Sequence, residues 1–378
     1  MKTVVSPFRY GTLAVGASFV NRVAERKLLK DHLLAGINVM LVSPRRWGKS
    51  SLVKESMTEL QLQEHDVRVC YIDAMTILSE QSFYEVFARE IIRSTENNME
   101  AWVNSAKRYL GAVSPRISFG TDPMNEFSLG LDFKAVKENE LDILNLPEKI
   151  AQKRGIRIIV CIDEFQNLAN LRVYADLERK MRSVWQQQQN VSYCLYGSKR
   201  HMMMEIFNSS SKPFYRFGQI MFLEKIALDE WVDYIVRQFN VTGKQISVEE
   251  ATRIVNYTEA HSWYVQQLSH FVWLATSTRA TSEIVDRAFD RIVETNQPMF
   301  QTECDSLSST QLSLLRAIAK GESEFTSVRV MSYYSLGTPQ NVVKNKKILS
   351  NKDLINIQNR VVEFVDPLFK YWFANTYH

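Results

Sequence analysis

Ser43-Pro44-Arg45-Arg46-Trp47-Gly48-Lys49-Ser50 follows the apolar run Val39-Met40-Leu41-Val42 and leads into Ser51-Leu52-Val53-Lys54-Glu55-Ser56-Met57, which reads as strand, phosphate loop and helix. The pattern is G-x-x-x-x-G-K-[ST] with Ser43 in place of the first glycine. In such a loop, successive backbone N–H groups and a helix N-terminus cradle phosphate oxygens. The lysine neutralises β/γ charge and the hydroxyl ligates Mg²⁺. Gly48, Lys49 and Ser50 retain that chemistry, so the stretch predicts a nucleoside triphosphate site. A Gly-Lys-Ser tripeptide by itself is equally a surface loop, and the strand before it and helix after it carry the reading.

Downstream, Ile156-Arg157-Ile158-Ile159-Val160-Cys161-Ile162 is β-prone, too apolar for an exposed strand, and ends in Asp163-Glu164. It reads as a central parallel strand. At its carboxyl end Asp163 is the candidate metal-side acid, and Glu164 the candidate base for the water that attacks the γ-phosphorus. Taken alone, acids that end a strand are ordinary helix caps. About 115 residues after the phosphate loop, in a chain alternating strands and helices, the pairing points to one site, with both acids beside Ser50.

Around these two motifs the pattern continues. Val23-Ala24-Glu25-Arg26-Lys27-Leu28-Leu29 through Leu34 has helical spacing and stops at Gly36. Val67-Arg68-Val69-Cys70-Tyr71-Ile72-Asp73 is a strand, followed by a helix over 82–92. Strand, helix, strand, helix implies right-handed crossovers in a parallel sheet. Between about 115 and 134 apolar and polar residues alternate around Asp122-Pro123-Met124-Asn125, which predicts a β-hairpin insertion. Val191-Ser192-Tyr193-Cys194-Leu195-Tyr196 ends at Gly197-Ser198, and Gln219-Ile220-Met221-Phe222-Leu223 follows Pro213 to Gly218. The nucleotide domain therefore spans 1–226.

From Leu228 the pattern is helical to about residue 303, giving a helical domain over 227–303. Its aromatic residues Trp231, Tyr234, Phe239, Trp263, Tyr264, Phe271 and Trp273 recur at helical spacing and read as core rather than as a ligand stripe. In 304–378 one helix covers 309–318 and another starts at Thr338 as cap with Pro339 in its first position. Leu354-Ile355-Asn356-Ile357-Gln358 and Val361-Val362-Glu363-Phe364-Val365 flank Asn359-Arg360 as a hairpin, so this part reads as a winged helix-turn-helix.

Composition excludes more than it selects. With 45% hydrophobic and 23% charged residues in 378, the chain is an ordinary globular protein long enough for two or three domains. No stretch approaches a bilayer span and the start carries no signal-peptide core, so a cytoplasmic location and no membrane partner are expected. Four cysteines, Cys70, Cys161, Cys194 and Cys304, lack zinc or disulfide spacing. The six histidines do not cluster with cysteines or paired acids. A net charge of +4 from 46 basic and 42 acidic residues is too mild to imply a nucleic-acid partner.

The order of motifs resembles the archaeal-type P-loop ATPase family of the STAND class, over nearly the whole chain. The resemblance rests on Phe19-Val20-Asn21-Arg22 with Glu25, Pro44-Arg45-Arg46-x-Gly48-Lys49-Ser50-Ser51-Leu52, Ile162-Asp163-Glu164-Phe165-Gln166, Gly197-Ser198, and Asp366-Pro367-Leu368-Phe369-x-x-Trp372. It implies an α/β fold: an ASCE-type P-loop NTPase core of three layers with a five-stranded parallel sheet, then a helical lid and a winged helix. ATP or ADP with Mg²⁺ would sit between core and lid, held by Pro44, Arg45, Arg46, Trp47, Gly48, Lys49, Ser50 and Ser51, with Ser50 and Asp163 on the metal. Phe19, Val20 and Arg22 are implied near the adenine, Ser198 as the polar sensor, and Arg216 as the arginine near a Pro-x-x-Gly-Arg pattern. Here the order is Tyr215-Arg216-Phe217-Gly218, a departure from that pattern. His261 stands where relatives carry Gly-x-Pro; it either reaches the nucleotide or is a satisfied structural histidine. Arg45 and Arg46 either face phosphate or are solvated.

The function implied is an ATP-driven switch with slow hydrolysis at Glu164, acting on a protein partner or by self-association. Two alternatives stand beside it. One is a DNA-binding regulator with ATP as ligand, suggested by Lys344, Lys346, Lys347 and Lys352 in the winged helix. The other is a nucleotide binder without turnover, suggested by Ser43 in place of glycine.

Overall fold

The computed structural model describes residues 5–120, 127–358 and 361–377. The chain divides into two compact units, Asn21–Glu224 and Met1–Val20 with Lys225–His378. Residues 5–20, expected from sequence within a nucleotide domain of 1–226, thus cluster with the carboxyl-terminal unit.

In the first unit, α1 (Val23–Leu34) leads to β1 (Val39–Val42) and α2 (Lys49–Gln63), and β2 (Val67–Asp73) leads to α3 (Glu80–Thr95) and α4 (Met99–Leu110). An antiparallel hairpin of β3 (Arg116–Phe119) and β4 (Phe127–Gly130) follows. Its expected turn, Asp122 to Asn125, lies outside the described residues. Then come α5 (Phe133–Glu138), α6 (Glu140–Leu144), α7 (Leu146–Arg154), β5 (Arg157–Asp163), α8 (Tyr174–Trp185), β6 (Val191–Gly197), α9 (Arg200–Asn208) and β7 (Gln219–Phe222).

Five strands form one sheet in the order β2-β5-β6-β1-β7, every neighbouring pair parallel. Every residue of β1 and β6 is buried, as both faces of a parallel sheet covered by helices require. Because β6 lies between β1 and β5, the carboxyl ends of these three strands stand side by side. Val42 is in register with Gly197, and Cys161 with Cys194.

Asn38 fixes the opposite, amino end. Its Oδ1 accepts the Tyr193 N–H at 2.9 Å, its Nδ2 donates to the Phe217 carbonyl at 3.3 Å, and its own carbonyl accepts the Gln219 N–H at 2.8 Å. That approach demands glycine at 218, where a β-carbon would stand 2.1 Å from the Asn38 carbonyl oxygen. Beside the sheet, Trp185 stacks on Tyr193 at 4.1 Å, and Phe214 meets Phe217 edge-on at 4.9 Å. Lys137 pairs with Glu80 and Glu140, and Lys180 with Glu140 and Asp176, so two ammonium groups tie α3, α5, α6 and α8.

In the second unit, α10 (Leu228–Val241), α11 (Val248–Tyr257), α12 (Ser262–Ala275) and α13 (Ser282–Asp305) bury Trp231, Tyr234, Phe239, Tyr264 and Trp273 in one core. The amino-terminal arm joins it: Phe8 packs on Tyr234 and Phe239, and the Gln238 Nε2 donates to the Ala17 carbonyl. The chain ends with α14 (Ser309–Ala319), α15 (Val328–Tyr333), α16 (Pro339–Asn351), the antiparallel pair β8 (Ile355–Gln358) and β9 (Val361–Phe364), and α17 (Pro367–Thr376). The Thr338 side chain accepts the Asn341 N–H as the cap of α16, with Pro339 at the first position. Asp366 caps α17 by accepting the Leu368 and Phe369 N–H groups and also accepts the Tyr264 hydroxyl. The hairpin's expected turn, Asn359-Arg360, lies outside the described residues.

Candidate functional site

β1 delivers Ser43 to the carboxyl edge of the sheet, where its N–H donates to the Gly197 carbonyl at 3.4 Å and its Oγ donates to the Pro44 carbonyl at 2.9 Å. Ser43 is 1% exposed, so the serine in place of glycine lies inside the fold. The loop then turns through two left-handed residues, Arg46 (φ 64°) and Gly48 (φ 91°). Gly48 is the N-cap of α2, a conformation glycine adopts without strain. Arg45 and Arg46 are exposed, Pro44 and Trp47 half-buried. Arg22 is 4% exposed, and its guanidinium donates to the Trp47 and Glu224 carbonyls and pairs with Glu25. It therefore ties the loop to the entry of α1 and the exit of the sheet.

Lys49, Ser50 and Ser51 open α2. Ser50 Oγ donates to Asp163 Oδ2 at 2.7 Å, and Lys49 Nζ pairs with Glu164 Oε1 at 2.7 Å. The two acids are thus split: Asp163 lies beside Ser50, while Glu164 lies on Lys49. Glu164 has a left-handed backbone (φ 50°, ψ 40°), a strained conformation for a non-glycine residue. Its N–H donates to Asp163 Oδ1 at 2.8 Å. Its other oxygen, Oε2, accepts Ser198 Oγ at 2.8 Å, the Ser198 N–H at 3.3 Å and Gln166 Nε2 at 2.5 Å. Lys49, Asp163, Glu164 and Ser198 therefore meet at one sheet edge, with Ser198 between loop and acids because β6 lies between β1 and β5.

The two carboxyls titrate in opposite directions. Burial pushes Asp163 up, against the nearby Lys49 ammonium and the Ser50 hydrogen bond. Burial also raises Glu164, but the Lys49 charge and the hydrogen bonds from Lys49, Gln166 and Ser198 outweigh it and hold this carboxyl at about 2. One acid is held ionised and the other is held closer to neutrality, an asymmetry typical of functional carboxylate pairs.

The remaining candidates lie elsewhere. Arg216 comes just before β7, whose first residue Gln219 is in register with Val39, the first residue of β1. It therefore stands at the amino end of the sheet, about 10 Å or more of strand away from the loop. As a catalytic group acting on its own chain's site, Arg216 is out of place; it is exposed, with its guanidinium over the Tyr215 ring. Phe19 and Val20 belong to the second unit, where Val20 is buried in the helical core. His261 is also in that unit, 4% exposed and preceding α12, its ring 4.9 Å from that of Tyr264.

Two residues at the site carry no role in the sequence reading. Asp73 ends β2 in register with Asp163 and is exposed, its Oδ1 accepting the Met75 N–H. The shared ending of the two strands, Tyr-Ile-Asp and Cys-Ile-Asp, is the signal that marks it. Gln166, 1% exposed on Glu164, closes the motif Ile162-Asp163-Glu164-Phe165-Gln166, but nothing in its spacing tells which way the chain turns after Glu164 and so what its side chain meets.

Residues 298–375 match a family described as "Probable winged helix domain". By sequence, no curated protein matches the chain. Among solved structures, a Walker-type ATPase of Pyrococcus abyssi is similar with a TM-score of 0.67 at 16% identity, covering 98% of this chain and 99% of that one. The Aeropyrum pernix ORC2 protein, in ADPNP and ADP complexes, gives 0.58 at 14% identity, covering 99% and 96%. The Aeropyrum pernix ORC1 protein in complex with DNA gives 0.50 at 12% identity, covering 96% and 94%. The fold is that of P-loop ATPases followed by a carboxyl-terminal winged helix.

Proposed function

We propose that this chain is an ATP-binding, Mg²⁺-dependent ATPase of the switch type, with 227–303 as lid and 304–378 as winged-helix output. The observation that carries the reading is the paired contact of Lys49 with Glu164 and of Ser50 with Asp163 at the end of a parallel sheet. The donor set fits the metal: a hydroxyl and a carboxylate oxygen 2.7 Å apart are hard ligands of the kind Mg²⁺ takes. Ser50 and Asp163 would hold it, and bound there it would neutralise phosphate charge.

The lysine has two competing anions. Without nucleotide it neutralises Glu164; a triphosphate in the loop draws it to the β/γ oxygens and leaves the carboxylate more basic. Glu164 then takes a proton from water attacking the γ-phosphorus, while loop N–H groups, Lys49 and Ser198 fix the phosphoryl oxygens. In this reading Glu164 is restrained until substrate arrives, which suits slow, gated turnover. Arg45 and Arg46, exposed on the loop, are candidates for phosphate contact or for solvated positions, and Phe19, Val20 and His261 remain candidates for the adenine side.

ATP turnover by the wild type, Lys49→Ala and Glu164→Gln, with nucleotide binding followed on the same samples, tests the proposal. Turnover lost in both variants, with binding kept by Glu164→Gln, supports a hydrolysing switch. Tight binding without wild-type turnover would replace it with a nucleotide-gated scaffold.

A second reading concerns the output. α16 carries Lys344, Lys346 and Lys347 and no acid, and Lys344 and Lys347 are exposed, as in a helix that meets a phosphate backbone. The likeness of fold to an ORC1 protein in complex with DNA keeps DNA as a candidate partner beside another protein or a second copy. Duplex binding that weakens with salt and is lost on changing both lysines to Glu supports it; no binding at low salt removes it.

A further inference from the structure

Gln166 combines burial with incomplete hydrogen bonding. It lies in the 3₁₀ segment Phe165–Asn170 and is 1% exposed. Its Nε2 donates to Glu164 Oε2, whereas its Oε1 is buried with no hydrogen-bond partner. A methionine or leucine would fill the same space without burying an unsatisfied carbonyl. The amide carbonyl points at Gly197: a β-carbon there would stand 1.9 Å from Gln166 Oε1 and 3.0 Å from its Cδ. The absence of a side chain at 197 is therefore the space that Gln166 occupies.

The two oxygens of Glu164 are used differently. Oε1 has the Lys49 ammonium, and Oε2 has Gln166 and Ser198. If Lys49 and the Ser198 hydroxyl turn to phosphate oxygens, Gln166 still holds Oε2 and Oε1 becomes the open one.

We propose that Gln166, seated against Gly197, is a positioning residue that fixes the rotation of the Glu164 carboxylate and so selects Oε1 as the oxygen presented to the attacking water. The inference rests on Glu164 being the base. In the step concerned, water gives a proton to Oε1 as its oxygen bonds to the γ-phosphorus, and the bond from that phosphorus to the bridging oxygen breaks, releasing ADP and phosphate. Gln166 is too buried to touch substrate and acts through Glu164 alone.

The test compares wild type, Gln166→Met and Glu164→Gln by single-turnover ATP hydrolysis with Mg²⁺ against pH, with ATP affinity measured in parallel. Gln166→Met keeps the volume and removes the donor. The expected result is hydrolysis slower by about tenfold to a hundredfold, an acid limb moved to higher pH because the carboxylate has lost a donor, and affinity within about twofold. Wild-type rate and acid limb in Gln166→Met, with Glu164→Gln slow, overturns this inference and leaves the base reading standing. Rate and affinity falling together with an unmoved limb also overturns it, since a space-filler behaves so. Wild-type rates in Glu164→Gln, or no wild-type turnover at any pH, withdraws the base reading and this inference with it.

The seat on Gly197 has a test independent of turnover. Gly197→Ala lowers the melting temperature, and adding Gln166→Ala raises it again although Gln166→Ala alone lowers it. Lowering of equal size in both backgrounds overturns the contact.

Discussion

Replacing Glu164 by Gln tightens nucleotide binding, because it frees Lys49. The pair is short, 2.7 Å, and shielded, with the lysine side chain 9% and the glutamate 19% exposed. At an effective dielectric of about 20 the gross attraction is about 6 kcal/mol, most of it offset by the cost of taking the carboxylate out of water. The net value of a hydrogen bond to a charged group is about 1.5–3 kcal/mol. Glutamine still offers Lys49 a neutral acceptor, so the substitution removes about 1–2 kcal/mol of competition, a gain in affinity of roughly 5-fold to 30-fold. Removing a negative charge near the terminal phosphate acts in the same direction. The assay is calorimetric titration with Mg²⁺ and a non-hydrolysable ATP analogue at pH 7.5 for wild type and Glu164→Gln. The ratio of affinities should change little with salt, since the pair is shielded. Equal or weaker binding by Glu164→Gln would mean that Lys49 is not the group that nucleotide must win from Glu164.

Other expectations follow from the same contacts. The Glu164 carboxyl is lowered from 4.5 to about 2, so its contribution to stability is complete above pH 4.5 and is lost as pH falls toward 2. Lys49→Met removes the main stabilising charge, and its melting temperature should fall less than that of wild type between pH 5 and pH 3; parallel curves would contradict the pairing. Gly218→Ala forces a β-carbon onto the Asn38 carbonyl and should cost about 3 kcal/mol, lowering the melting temperature by roughly 6–12 °C for a unit of this size. A fall under 2 °C would mean that the close approach is absent. Asp366→Ala removes both the α17 cap and the Tyr264 contact and should cost about 2–4 kcal/mol, read by urea unfolding; Tyr264→Phe should show a smaller part of it.

Much of the sheet was legible because its strands are short apolar runs bounded by Gly, Asp and Ser. Val39–Val42, Val67–Asp73, Arg157–Asp163 and Val191–Gly197 leave little room for a helical reading. The winged helix was legible at Thr338-Pro339, where a cap and a first-turn proline signal a helix start. Strand order was different in kind. Local patterning carries no information on which strand lies between which, so the direct contact of Ser198 with Glu164 follows only from β6 lying between β1 and β5. The same limit explains Arg216. A basic residue before a strand has no direction in sequence, and only the register of Gln219 with Val39 shows that it stands at the end away from the loop. Arg22 was legible as a motif residue, but its grip on the Trp47 and Glu224 carbonyls depends on chain segments that meet only after folding.

The placement of β1 has a consequence for the newborn chain. Val39 finds its two partners at Cys194 and Gln219, so this strand has nothing to pair with until the ribosome has delivered nearly the whole first unit. β2 waits likewise for β5 across the β3–β4 hairpin and five helices, whereas β6 follows its neighbour β5 after α8. Such high contact order slows folding and leaves apolar edges exposed meanwhile. Lys49 and the acids come together only when the last of these strands has arrived, so a truncated or stalled chain lacks the means to grip a phosphate. Competence to bind is thereby tied to completion of the sheet.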